Sequence, residues 1–141
     1  MLGAFSAMDI AASGLTAQRT RMNTIASNLA NARTTKTEDG TAYRRIDPLF
    51  TTVALDHQGG ITGERGVSKV GVERLVRDAR QGMMVHDPNH PDADAKGYVE
   101  YPNIEVVEEM VNMITASRAY EAGVSTIESV KAMAHSALEI G

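Results

Sequence analysis

The chain has 141 residues and a net charge of −4, room for about one ordinary domain; its 43% apolar content leans on Ala, Val, Ile and Met, with no Trp, two Phe and four Tyr. Such a composition suits thin, extended contacts better than one thick core. No segment carries the strong positive field on which nucleic-acid binding rests, and the absence of cysteine excludes disulfides, thiolate metal sites and cysteine nucleophiles.

At the front, Met8, Leu15, Met22 and Leu29 recur every seventh residue, and Ala11, Ile25 and Ala32 fall three residues after members of that series. This a/d pattern predicts a helix over residues 5–32, a rod of about 40 Å. Gly14 inside it costs about 1 kcal/mol relative to Ala, and close helix packing is its expected reason. Asn and Thr at residues 31–35 should end the helix, because their side chains compete for backbone hydrogen bonds. Asp9 follows closely on Met1 and the first base is Arg19, so the start lacks the pattern of a cleaved secretion signal. Nothing reaches the length of a membrane span. A cytoplasmic chain, or one exported with its N-terminus in place, both fit.

Residues 36–102 change character. Residues 43–55 read as a strand, with Phe50, Val53 and Leu55 available for a small core, and Gly59, Gly60, Gly63 and Gly66 mark turns. Val70, Val72, Arg74 and Val76 alternate on one face of a second strand, and residues 83–85 are a further short candidate. Together these predict a small β subdomain. The glycines match neither phosphate-cradling pattern. His86, Asp87, His90, Asp92 and Asp94 then crowd into nine residues. A metal-site reading suits those ligand types, but Pro88 and Pro91 stiffen the segment, and Asn and Asp beside proline are ordinary turn chemistry. A structured surface turn is the expectation.

Pro102 and Asn103 mark the start of a second helix, with Asn103 as its expected cap. Val106, Met110, Met113, Ser117, Tyr120, Val124, Ile127, Lys131, Ala134 and Leu138 follow alternating steps of four and three, so the helix should run to about residue 138. Glu108 and Glu109 point about 100° apart and read as a solvated start that complements the helix dipole, rather than a catalytic pair. Gly123 interrupts this helix as Gly14 interrupts the first. Met8, Met22, Met110, Met113 and Met133 lie in or beside the two stripes, where thioethers fill irregular gaps.

The expected fold is mainly α with a small β insertion: residues 1–35 an N-terminal axial helix, 36–102 the β-rich insertion with its turn motif at 86–94, and 103–141 a C-terminal axial helix, the two helices forming a coiled-coil-like pair. An amphipathic helix cannot bury its own apolar face, so Met8, Leu15, Met22, Ile25, Leu29, Val106, Met110, Met113, Tyr120, Val124, Ile127 and Leu138 are expected to form an interface. Function reduces to the identity of the partner. A cytoplasmic coiled-coil adaptor and a small His/Asp metal-dependent enzyme are the alternatives from other classes; no serine elbow or histidine–nucleophile pairing supports an enzyme.

The run from Ala12-Ser13-Gly14-Leu15 to Asn28-Leu29-Ala30-Asn31 closely resembles the N-terminal signature of bacterial flagellar rod and hook proteins. A second match, Asp87-Pro88-Asn89-His90-Pro91-Asp92-Ala93-Asp94 together with Gly97-Tyr98-Val99, Pro102-Asn103, residues 108–113 and 116–122, and the last five residues, resembles proximal rod subunits of the C type. Gly123 stands where that family carries Asn, and residues 56–80 follow no family pattern. The resemblance covers about two-thirds of the chain. It implies a structural, non-enzymatic rod subunit in the periplasmic space that helps transmit torque from rotor to hook. It further implies export by the flagellar type III apparatus without signal cleavage. The implied partners are copies of itself, other rod proteins, basal-body ring and rod-adaptor proteins and the export apparatus, with no cofactor, nucleic acid or direct membrane insertion. Head-to-tail contacts that do not close give a filament, the symmetry a shaft needs.

Overall fold

The computed structural model describes residues 2–54 and 68–141. Two long helices, α1 (Leu2–Ala30) and α2 (Val106–Ile140), enclose four strands in sequence: β1 (Ile46–Ala54), β2 (Ser68–Arg77), β3 (Met83–His86) and β4 (Tyr98–Tyr101). The strands form two separate antiparallel ribbons, β1 with β2 and β3 with β4. Leu55 and the four glycines at 59, 60, 63 and 66 lie outside the described residues. No helix of the described residues is long and apolar enough to cross a membrane.

The helices pack antiparallel, Asn28 meeting Glu109 at one end and Leu15 meeting Gly123 near the middle. At about 1.5 Å per residue the 35 residues of α2 span about 52 Å, which makes the pair the long axis of the molecule. On α2 the residues turned to the interior are Glu109, Met113, Ala116, Tyr120, Gly123, Ile127, Val130 and Ala134, all buried or half-buried. The buried members, Glu109, Ala116 and Val130, centre the seam one residue from the expected stripe, whose Ser117 and Val124 are half-buried at its edge. Met113, Tyr120, Ile127 and Ala134 belong to both series, but the alternate members lie one residue away, and Val106, Met110 and Leu138 are exposed. Small residues decide the difference: Ala116 and Gly123 let α1 approach, whereas apolarity alone favours the larger side chains beside them.

On α1, Met8, Leu15, Met22 and Leu29 are half-buried and Ile25 is buried. Gly14 has nothing within 4 Å of where a Cβ would stand, so the close packing expected there is absent. It occurs at Gly123, where an added Cβ would lie 2.7 Å from Leu15 Cδ2. The helix continues unbroken through that position, which admits Leu15 as a knob. Hydroxyls of Thr16, Thr20 and Thr24 donate to the carbonyl four residues back, so these polar groups are satisfied inside the helix.

The β1–β2 ribbon lies against α1, where Ser13 Oγ accepts the Val70 N–H at 3.1 Å and Lys69 Nζ meets Asp9 at 3.1 Å. A register shift between Leu49 and Phe50 marks a bulge. Phe50 and Val53 are exposed, so the small core expected there is not formed: a two-stranded ribbon has no second layer to cover it. β4 was not foreseen, although Tyr-Val-Glu-Tyr carries the alternation of a short strand. Val99 on it is buried and faces Val85 across the ladder.

Candidate assembly surface and its buried joint

Where α1 ends, α2 begins and β1 starts, the chain builds one buried polar network. Asn28 has no exposed surface. Its Nδ2 donates to the Ile46 carbonyl at 2.9 Å and its Oδ1 accepts the Ile46 N–H at 2.9 Å, so the side chain takes the place of a neighbouring strand at the edge of β1. The second Nδ2 proton goes to Glu109 Oε2 at 3.2 Å, and Tyr43 donates its hydroxyl to Oδ1 at 3.2 Å. All four hydrogen-bonding positions of the amide are used.

Glu109 is 1% exposed. It is therefore not the solvated helix start expected of it, because Arg45 Nε meets its Oε1 at 2.5 Å. Arg45 also pairs with Asp47. Burial works against the Arg45 charge, but the hydrogen bonds to Glu109 and Asp47 outweigh it and hold the guanidinium above its ordinary value. Asn103 Oδ1 accepts the Arg45 N–H at 3.4 Å instead of capping α2; the cap position is Glu105, in extended conformation with no side-chain cap bond. The joint thus ties both helices and β1 together through side chains from residues 28, 45, 103 and 109. An apolar replacement of Arg45 would strand the buried Glu109 carboxylate.

The His/Asp segment builds a turn. Asp87 accepts the Asn89 N–H, His90 Nδ1 accepts the Asp92 N–H, and Asp94 Oδ1 accepts from Lys96 and Tyr98. Hydrogen bonds from the Tyr98 and Lys96 amides hold the Asp94 carboxyl below the usual carboxylate range. His86 meets Tyr98 edge to face, His90 meets Tyr101 likewise, and Thr35 donates to Asp92 at 2.8 Å. Gly97 closes the turn with φ +79, a conformation that favours glycine. Among the described residues no group of three or more His, Cys, Asp or Glu is placed to hold a metal ion. Of the signature residues, Asn28 enters the joint, Ser13 docks the ribbon and Asn31 bonds back to Ser27 O and accepts from Thr34. Asp87, Pro88, His90, Pro91, Asp92 and Asp94 lie in the turn.

Outward from the pair, α2 presents Val107, Met110, Val111 and Ile114 at 69, 54, 57 and 55% exposure. Only Met110 of these four was expected at an interface. The signal for the others is legible in the spacing, since Val107, Val111 and Ile114 follow their own steps of four and three. The signal for the true inner seam is the seven-residue recurrence of Glu109, Ala116, Gly123 and Val130, which a search for large apolar residues passes over.

Two family models match the chain: flagella basal body rod protein over residues 8–35, and flagellar basal body rod FlgEFG protein C-terminal over residues 95–140. These are the two helical ends with the β4 segment. Flagellar basal-body rod protein FlgC of Borreliella burgdorferi is 42% identical, with 99% of this chain and 98% of that protein covered. The proteins of the same name from Aquifex aeolicus, at 45% with 93% and 92% covered, and Bacillus subtilis, at 37% with 98% of each covered, are similar along nearly their whole lengths. The chain belongs to the flagellar basal-body rod protein FlgC family.

Proposed function

We propose that this chain is a structural subunit of the flagellar basal-body rod, carried there by its near-full-length similarity to basal-body rod proteins. The helix pair agrees with such a role, being long, thin-cored and bare along one apolar stripe. The finer reading is a proximal rod subunit in the periplasmic space that helps transmit torque from the rotor to the hook. It performs no catalytic step. On this reading residues 1–35 and 103–141 are the axial helices and 36–102 the insertion. Partners are copies of itself, other rod proteins, ring and rod-adaptor proteins, and the type III export apparatus that delivers it uncleaved.

Deleting the gene should abolish swimming and leave basal bodies without a completed rod. A motile deletion strain with no duplicate gene would overturn the reading. Recovery of a tagged chain in purified basal bodies tests the location, and N-terminal sequencing of that material tests export without cleavage.

A further inference from the structure

α2 carries two heptad series suited to face α1, and they share Met113, Tyr120, Ile127 and Ala134. They differ in their alternate members. Those turned inward are Glu109, Ala116, Gly123 and Val130; those one residue further on are Met110, Ser117, Val124, Lys131 and Leu138. A roll of α2 about its own axis by about 50°, half the step between neighbouring residues, exchanges one set for the other. Such a roll keeps the full overlap of the two helices.

Apolarity alone favours the second set. Met110 and Leu138 stand 54 and 61% exposed while Glu109 is buried, so rolling would bury larger side chains and return a carboxylate to water. Lys131 would enter the seam with its stem only, its amine reaching solvent. Two features oppose the roll. Leu15 fills the hollow at Gly123, where an added Cβ would lie 2.7 Å from Leu15 Cδ2, and Glu109 is bonded by Arg45 and Asn28. The flexible end of Leu15 can follow a turning helix. The joint cannot, because both backbone groups of Ile46 hold Asn28, and Arg45 is the residue before Ile46.

From this we infer that Asn28, Arg45 and Glu109 form a rotational latch, which selects the inward face of α2 and holds Met110 and Leu138 out in water. The latch works through the cost of burying charge. With Arg45 in place the Glu109 carboxylate is paired and the small-residue face stays inward. With Arg45 removed the carboxylate is stranded, and a roll releases it while burying apolar surface in its place. A buried ion pair adds little net stability over a well-packed apolar replacement, and its best-attested use is to fix one arrangement among competitors. The latch is a property of the single chain, whatever that chain assembles into.

The chain contains no cysteine, so one introduced thiol reports one face of α2. Val130→Cys and Met110→Cys are each purified as the full chain with the natural Arg45, with Arg45→Met and with Arg45→Lys, and the rate of maleimide labelling is measured. Val130 is 8% exposed and lies about six turns from Glu109, so it reports the whole helix and not its first turn. With Arg45→Met the Val130→Cys thiol should react at least tenfold faster and the Met110→Cys thiol at least tenfold slower, while circular dichroism keeps its helical signal. Arg45→Lys retains the charge and should leave both rates close to those of the natural joint. Any other pattern overturns the inference: faster labelling at both positions means that α2 has come loose, a change at one position alone is a local rearrangement, and unchanged rates mean that the joint does not hold the roll. Arg45→Lys shifting both rates as far as Arg45→Met overturns it too, since charge would then not be the cause.

Discussion

Asn28, Arg45 and Glu109 show how three polar side chains can replace a hydrophobic core at the point where elements meet. Glu109 is held by Arg45 and Asn28, Asn28 also by Ile46 and Tyr43, and Arg45 also by Asp47, so truncating one leaves a polar partner short of a bond and costs more than the interaction itself contributes. Glu109→Ala should lower stability by about 3–5 kcal/mol, read from urea unfolding of the purified chain. Glu109→Gln should lose less, because its carbonyl oxygen still accepts from Arg45, although its NH2 then meets the Asn28 Nδ2 donor. A joint made mainly of surface contacts would show equal, small losses for both. Acid should act on Asp78 and Asp94. Asp78, bonded by Arg80, titrates at about 2, and Asp94 lies below its usual range through the Tyr98 and Lys96 amides. A folded-state pKa below the unfolded value means stabilisation that is present above about pH 4 and lost as pH falls toward the folded value. Protection of the Lys96 and Tyr98 amides against exchange should therefore fall as pH drops below about 4, and unchanged protection there would contradict the assignment.

At the scale of elements, the helix pair depends on where its small residues fall. Gly123 accepts Leu15, so Gly123→Leu should cost about 1–3 kcal/mol through overpacking. Gly123→Ala should be close to neutral, since the flexible end of Leu15 can shift and alanine gains about 1 kcal/mol of helix propensity. Thermal melts of the two variants decide this: equal losses would mean that Leu15 does not enter the seam as described. Gly14→Ala should be at least neutral in the isolated chain, because no atom stands within 4 Å of the added methyl. The ribbons behave differently from the helices. On the β1–β2 ribbon the apolar side chains Leu49, Phe50, Val53, Leu75 and Val76 remain exposed, so pairing alone cannot hold it and its anchors include the polar contacts to α1 and the bonds of Asn28 to Ile46.

For the whole molecule, the buried hydrophobic side chains among the described residues are Ala17, Ile25, Ala42, Val99, Ala116 and Val130. Three of these are alanines, so little area is removed from water to offset the ordering of two long helices. The monomer should sit at the low end of the usual 5–15 kcal/mol and resist protease far less than the same chain in purified basal bodies. Equal resistance in the two states would mean that the helix pair is complete without neighbours.

Periodicity alone determined that two long helices flank a β-rich stretch, because a repeat of alternating four and three steps has no other stable reading in a chain of this composition. The signature residues likewise carried the family. Tertiary structure decided the face of α2 turned inward, since apolar spacing supports two series one residue apart and only packing against α1 shows that Ala116 and Gly123 win by being small. It also decided the part played by Glu109. On a lone helix its charge belongs in water, and nothing local announces that Arg45 and Asn28, distant in sequence, arrive to pair with it.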